Sequence, residues 1–176
     1  MDNTALFFQI HNLSRQSPLL DSLMIFGAEY LIFVTFFLVL LLFFKGEKTD
    51  KKTLLLLIFA IPISLTLVKI IRLFFYEPRP FVTFPISPLV DHQATAAFPS
   101  LHTTVMATIA FAYYFSKSKY TLIFMILMLW VGIARIFIGV HYPLDILGGI
   151  FVGFISVFLT RQIKKRLASK GEPLRA

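Results

Sequence analysis

The sequence predicts an all-α membrane protein, a polytopic helix bundle with five transmembrane helices and a short N-terminal interfacial helix. Of its 176 residues, 57% are hydrophobic and only 15% are charged, whereas an average soluble domain is about 45–50% apolar and about 25% charged. This composition excludes a disordered chain, a coiled coil and an ordinary soluble enzyme. The length fits one integral membrane domain over residues 1–176.

The first element is a predicted interfacial helix within residues 1–16. Its apolar side chains fall on one helical face, which is typical of a helix lying in the plane of the membrane: Leu6, Phe7, Ile10 and Leu13. The alternative is a frayed tail. We expect no signal peptide, because no basic leader and no small-residue cleavage site accompany the first apolar run.

Five apolar runs approach the length of about 20 residues that crosses a bilayer as a helix. We predict spans at Leu23–Phe44, Thr53–Phe75, Leu101–Phe115, Tyr120–Val140 and Pro143–Leu159. In the last span, Gly149 and Gly153 have the G-x-x-x-G spacing that indicates close helix packing.

The basic residues predict the orientation. Twelve of the 17 Lys and Arg residues fall in three segments, 45–52, 117–119 and 161–175, which five alternating spans place on one side. By the positive-inside rule this side is cytoplasmic, so residues 161–176 form a basic cytoplasmic tail. The N-terminus and the 76–98 loop are then extracytoplasmic. The net charge of +8 is therefore a topology signal and does not indicate nucleic-acid binding.

Polar residues gather at the opposite face in three segments, residues 72–80, 98–102 and 135–145. Arginines match phosphate oxygens with a planar fork of donors. The helix start after Pro99 offers free backbone N–H groups to a phosphate. One histidine can attack phosphorus while a second protonates the leaving oxygen. These residue types together predict a phosphate site.

The spacing of His141 and Asp145 supports this interpretation. They lie four residues apart with Pro143 at a predicted first helical turn, so the carboxylate faces the imidazole and holds its tautomer. Taken singly, each polar residue has an ordinary explanation: a snorkelling arginine, a hydrogen-bonded core histidine or a helix-start serine. Their convergence on one face favours a functional site.

The three segments resemble the tripartite signature of the type-2 phosphatidic acid phosphatase superfamily, K-x6-R-P, P-S-G-H and S-R-x5-H-x3-D. Here the signature positions hold Arg72 with Arg79-Pro80, Pro99-Ser100-Leu101-His102, and Ala134-Arg135 with His141 and Asp145. More narrowly, the chain resembles the bacitracin-resistance branch, the undecaprenyl pyrophosphate phosphatases. The local matches are residues 10–14, 20–22, 29–30, 76–81 and 141–148.

The resemblance implies a two-step phosphate transfer without metal or other cofactor. His141 attacks the terminal phosphorus, Asp145 orients it, and His102 protonates the leaving phosphate and then activates water. The phosphate oxygens are held by Arg72, Arg79, Ser100, Arg135 and the backbone at Leu101. The implied substrate is undecaprenyl pyrophosphate at the outer face of a bacterial plasma membrane, which implies lipid carrier recycling, peptidoglycan and cell wall biogenesis, and bacitracin resistance.

Three positions depart from the family pattern. The family lysine is Arg72, and Lys69 one turn earlier is the alternative for this position. The family serine is Ala134, which lacks a hydroxyl donor. The family glycine is Leu101, which does not readily adopt a positive φ.

Three further predictions concern residues around the site. We expect Glu29 to pair with Lys69 or Arg72, or to lie exposed at the interface, and Glu77 either to contact the arginines or to cap the loop. Asp91 and His92 are expected to be ordinary surface loop residues, with contact to the substrate as the alternative.

Three other functions stay open at this point. The first is a phosphatidylglycerophosphate or phosphatidate phosphatase. The second is a small lipid or anion transporter, and the third is a structural membrane subunit.

Overall fold

The computed structural model describes residues 2–170, with side chains described up to Leu167. Residues 2–170 contain helices, turns and loops but no strand, which confirms the all-α class. The helices are α1 (Asn3–His11), α2 (Pro18–Ile25), α3 (Leu31–Lys45), α4 (Lys48–Phe74), α5 (Pro80–Thr83), α6 (Leu101–Phe115), α7 (Thr121–Phe137) and α8 (Pro143–Lys170). A π-helical turn, Phe26–Tyr30, joins α2 to α3 in one continuous rod.

Three helical stretches are long and apolar enough to cross a membrane: Pro18–Lys45, Lys48–Phe74 and Pro143–Leu167. The apolar α7 has 17 residues and α6 has 15, fewer than the about 20 that span a bilayer. The prediction of an integral membrane helix bundle is thereby confirmed. The first two spans begin five residues earlier than predicted.

A capping box explains the early start of α4. The backbone N–H of Glu47 donates to Asp50, and the Glu47 side chain accepts from the Asp50 backbone. Lys48, Lys51 and Lys52 therefore lie in the first turns of a helix instead of in the predicted loop.

The helix α6 lies at the centre and packs against α3, α4, α7 and α8. It carries buried threonines whose hydroxyls donate hydrogen bonds to backbone carbonyls one turn earlier. Thr104 donates to the Ser100 carbonyl and Thr108 to the Thr104 carbonyl, both at 2.8 Å. A Cβ added at Gly153 of α8 would lie 2.6 Å from Cβ of Ala107. The close helix packing predicted from the G-x-x-x-G spacing is therefore confirmed.

The basic segments meet at one end of the bundle, which we call the basic end. Ser118 donates to Asp50 at 2.8 Å, Lys119 pairs with Glu47 at 2.8 Å, and Arg161 lies 4.6 Å from the ring of Phe115. The last helix is longer than the predicted span Pro143–Leu159. It continues to Lys170 through the first part of the predicted basic tail, while residues 171–176 of that tail lie outside the described residues.

The N-terminal helix α1 packs on the other end, where the three polar segments lie. Phe7 is fully buried and meets the ring of Tyr142 edge-on at 5.4 Å. His11 is also buried, and its Nδ1 lies 2.9 Å from the Phe137 carbonyl. The predicted helix is therefore present, but Phe7 contacts protein and not the membrane interface. Leu13 lies beyond the end of α1 and is exposed.

Candidate active site

The three polar segments meet at the end of α4, the start of α6 and the link between α7 and α8. The backbone N–H of Ser100 donates to the Asp145 carbonyl at 3.0 Å, which joins α6 to α8. Nη2 of Arg72 donates to the Pro99 carbonyl at 2.8 Å, which joins α4 to the same place. The predicted convergence of these segments is what the structure shows.

His141 is buried in the link before α8 and is held from both sides of its ring. Its Nδ1 lies 3.2 Å from Oδ2 of Asp145, and its Nε2 lies 3.3 Å from Nη1 of Arg79. Because a guanidinium only donates, Nε2 must accept and Nδ1 must carry the proton. The same Oδ2 accepts the Tyr142 backbone N–H at 2.8 Å, which fixes the carboxylate. The reactive lone pair of His141 is therefore on Nε2.

Two features keep the His141 imidazole neutral and in place. Burial, together with the charges of Arg135, Arg79 and Arg72, holds its pKa well below the usual range. The chain reaches it through a tight turn at Gly139, whose φ of +89° is one that residues with a Cβ rarely adopt. At neutral pH the imidazole is thus uncharged.

Arg79 extends into the cluster from the residue before α5. Besides His141, Nη1 donates to the Val140 carbonyl at 3.0 Å, while Nε and Nη2 each lie 3.1 Å from an oxygen of Thr95. Burial first, and then the charges of Arg135 and Arg72, lower the pKa of Arg79 to about 10. The side chain remains cationic at neutral pH, so the cluster is strongly electropositive.

Arg135, at the end of α7, is 1% exposed and has three partners. Nη1 donates to Oε1 of Glu29 at 2.7 Å and to the Ala28 carbonyl at 3.3 Å, both in the π-helical turn. Nη2 donates to Nε2 of His92 at 2.7 Å. Burial and the nearby charges of Arg79 and Arg135 lower the pKa of His92, so its neutral ring accepts this hydrogen bond.

These contacts correct two predictions. Glu29 pairs with Arg135 and not with Lys69 or Arg72. His92 is not an ordinary surface loop residue, because it is half-buried against the guanidinium of Arg135. Asp91 beside it is exposed, as predicted.

The first turn of α6 contributes Ser100, Leu101 and His102. Leu101 is the first helical residue, so its φ is helical and the departure from glycine requires no positive φ. Ser100 is buried, and its Oγ accepts from Oγ1 of Thr103 at 3.1 Å. His102 is half-buried, with Arg135, His92 and Arg79 as its electrostatic neighbours. The first N–H groups of the helix have no intrahelical acceptor, so they are available to an anion.

The arginines retain donors beyond these contacts. Among the side chains described, Nε of Arg72 and Nε of Arg135 are buried without a hydrogen-bond partner. Three guanidinium groups, two carboxylates and three histidines form the cluster. Such a set binds an oxyanion with several charges, offers a neutral nucleophilic imidazole and places a second imidazole nearby.

Two predicted residues lie outside this cluster. Lys69 is exposed on α4, so Arg72 and not Lys69 takes the position of the family lysine. Glu77 is exposed and borders a cavity of about 440 Å³, which we call the aromatic cavity. The residues lining the aromatic cavity are Asn3, Phe74, Phe75, Tyr76, Glu77, Phe98, Leu144 and Asp145.

Comparison with known proteins identifies the family. The model of the PAP2 superfamily matches residues 53–168. The chain belongs to the PAP2 superfamily. It is 36% identical to the undecaprenyl-diphosphatase BcrC of Bacillus subtilis, over 89% of this chain and 81% of the relative. It is 32% identical to the bacitracin transport permease protein BcrC of Bacillus licheniformis, over 88% of this chain and 76% of that relative. The crystal structure of Aquifex aeolicus LpxE superposes with a TM-score of 0.77 at 30% identity, covering 91% of this chain and 94% of that one.

The PAP2 signature covers the main residues of the cluster, but several residues that contact or support them lie outside the signature. Sequence reasoning missed the contacts of His92, Thr95 and Thr103, and the roles of Asn3 and His11 in α1. Asn3 Oδ1 accepts the Leu144 backbone N–H at 3.0 Å and so caps α8, the helix that carries Asp145. For His11, the local match at residues 10–14 could have indicated a role. The other residues that were missed lie in stretches of sequence without a distinctive pattern.

Proposed function

We propose that this protein is a membrane lipid phosphatase that removes the terminal phosphate of undecaprenyl pyrophosphate. The observation that carries the proposal is the setting of His141, whose ring is held at Nδ1 by Asp145 and at Nε2 by Arg79 in a buried cluster of arginines. The similarity to the undecaprenyl-diphosphatase of Bacillus subtilis supports the choice of substrate.

The first proposed step transfers the phosphoryl group to the enzyme. Nε2 of His141 attacks the terminal phosphorus, and the bond from phosphorus to the bridging oxygen breaks. In this step His102 acts in its protonated form and gives its proton to that oxygen, so undecaprenyl phosphate leaves and His102 becomes neutral. Asp145 stabilises the imidazolium that forms, and the arginines stabilise the charge on the equatorial oxygens.

The second proposed step returns the enzyme to its starting state. His102, now neutral, takes a proton from a water molecule as the water attacks phosphohistidine. The bond from phosphorus to Nε2 of His141 breaks, and inorganic phosphate forms. Ser100, Arg79, Arg135, Arg72 and the N–H groups at the start of α6 hold the phosphate oxygens in both steps.

The lipid end of the substrate has a proposed place beside the cluster. The aromatic cavity reaches Asp145, and its aromatic residues at the end of α4 are exposed as membrane-facing side chains would be: Phe74, Phe75 and Tyr76. We place the first isoprene units there, with the remaining chain in the bilayer. This arrangement keeps the charged phosphates at the polar end of the bundle and the isoprenoid chain in an apolar medium.

The proposed topology counts α6 and α7 as spans, giving five in all. The basic end is then cytoplasmic by the positive-inside rule, and the active site and N-terminus are extracytoplasmic. Phosphate removal at that face serves the recycling of the lipid carrier in cell wall biogenesis, and the similarity to the BcrC proteins extends the proposal to bacitracin resistance.

The test measures phosphate release by the purified protein in detergent with EDTA. The substrates are undecaprenyl pyrophosphate and phosphatidylglycerophosphate, with His141→Ala as the inactive control. Release from the prenyl pyrophosphate that survives EDTA and is lost in the variant supports the proposal. Release only from the glycerolipid assigns a different substrate to the same chemistry. No release from either, with transport that survives His141→Ala, overturns the proposal in favour of a transporter.

A further inference from the structure

The basic end carries two adjoining cavities between α4 and α8. One, of about 280 Å³, we call the basic pocket; it is lined by Lys52, Leu56, Ser116, Arg161, Lys164 and Lys165. The other, of about 470 Å³, we call the apolar groove; it is lined mainly by Leu55, Leu56, Phe59, Ile63, Ile163 and Leu167. Leu56 and Lys164 line both cavities, so the two lie side by side.

The basic pocket has four cations and no acidic lining residue. Two carboxylates at the same end of α4 are engaged elsewhere, since Asp50 accepts from Ser118 and Glu47 pairs with Lys119. The guanidinium of Arg161 stacks over the ring of Phe115 at 4.6 Å, which holds it beside the pocket. Among the described residues, the lining of the pocket is therefore positive without an acidic partner, and it lies at the basic end of the bundle.

We propose that these two cavities form a binding site for one anionic phospholipid. The phosphate of the headgroup lies in the basic pocket, and an acyl chain lies along the apolar groove between α4 and α8. Basic pockets between transmembrane helices on the cytoplasmic side of a membrane bind the headgroups of anionic lipids. A soluble anion would leave the apolar groove without a ligand, which is why we assign a lipid.

The site is separate from the phosphatase cluster. Lys164 follows Asp145 by 19 residues on α8, which is about 29 Å at about 1.5 Å of rise per helical residue. The two sites therefore lie at opposite ends of the bundle, and the lipid proposal does not rest on the proposed phosphatase activity.

The experiment is a titration of the detergent-solubilised protein with phosphatidylglycerol or with phosphatidylcholine of the same acyl chains, read by native mass spectrometry. Wild type should bind phosphatidylglycerol at least about tenfold more tightly. The double variant K52Q/K164Q removes two lining cations, each contributing roughly fivefold, and should abolish most of this preference. The matched control, K48Q/K51Q, removes the same charge from the same end of α4 outside both cavities and should retain the preference.

Two further arms distinguish a lipid from a free phosphate. Leu55→Trp fills the apolar groove without changing charge and should weaken phosphatidylglycerol binding severalfold. Glycerol 1-phosphate, which carries the phosphate without acyl chains, should not displace the lipid. The proposal is overturned by equal binding of the two lipids, by equal losses in the two double variants, or by unchanged binding in Leu55→Trp together with displacement by glycerol 1-phosphate.

Discussion

Nη2 of Arg135 lies 2.7 Å from Nε2 of His92, a contact that joins the end of α7 to a loop residue 43 positions earlier in the chain. On its other side, the same guanidinium meets Glu29 at 2.7 Å. Arg135 is therefore clamped between the first membrane span and the 76–98 loop. This clamp holds in a fixed orientation the arginine that we propose binds the substrate phosphate.

His92→Ala should raise KM for the pyrophosphate substrate about tenfold, because one lost hydrogen bond to the Arg135 guanidinium is worth about 1.4 kcal/mol. The value of kcat should change less, since His92 does not touch His141. Steady-state kinetics check this prediction. His92→Gln supplies an acceptor again and should restore much of the affinity; an unchanged KM in His92→Ala would contradict the clamp.

Glu29→Ala should lower the free energy of unfolding by about 1–3 kcal/mol, because it leaves the buried guanidinium of Arg135 without its carboxylate. Glu29→Gln keeps an acceptor at this position, so its free energy of unfolding should fall by less. Thermal unfolding in detergent, followed by the fluorescence of the single Trp130, measures both. Equal stability of all three proteins would mean that the ion pair contributes nothing.

Gly153→Ala should destabilise the bundle by about 1–3 kcal/mol, because its Cβ has no room between α8 and α6. The nearest atoms to that Cβ would be Cβ of Ala107 at 2.6 Å and the Thr108 backbone nitrogen at 2.8 Å. The control is Leu147→Ala on the exposed face of α8, which should change stability much less. Similar melting temperatures for the two variants would argue against close packing here.

The stability of the protein should fall as pH drops through about 6.5, the ordinary pKa of histidine. The pKa values of His141 and His92 are lowered in the folded state, so below pH 6.5 the unfolded chain takes up protons that the folded protein does not. The free energy of unfolding therefore decreases with decreasing pH. Melting temperatures between pH 8 and pH 5 test this. The variant H92Q/H141Q should show a smaller decrease, and an identical decrease would exclude these two histidines as the cause.

The class of fold and the main site residues were predictable from the sequence because their causes are local or periodic. Apolar runs of bilayer length specify membrane helices, and Gly149 with Gly153 specifies a close helix contact. The spacing of His141 and Asp145 across a proline-led helix start specifies their hydrogen bond. The ends of the helices were less predictable, since the capping box of α4 draws charged residues into the helix.

The partners of the site residues were not predictable, because they depend on how distant segments pack. Glu29 reaches Arg135 only because the π-helical turn and the end of α7 lie side by side. His92 lies in a long loop without periodicity, and nothing in its neighbours distinguishes it from a solvated histidine. The docking of α1 through Phe7 and His11 likewise depends on a site that only the folded bundle provides.

The central claim is that Nε2 of His141 accepts the phosphoryl group. The most direct measurement mixes the enzyme rapidly with undecaprenyl pyrophosphate labelled at the terminal phosphate, quenches in alkali, in which phosphohistidine survives, and maps the label by peptide mass spectrometry. The account predicts label on His141 in the wild type and none in His141→Ala; His102→Ala, in which both proposed steps are slowed, should acquire the label on His141 more slowly. Phosphate release without label on His141 in either wild type or His102→Ala, or label on another residue, would contradict it.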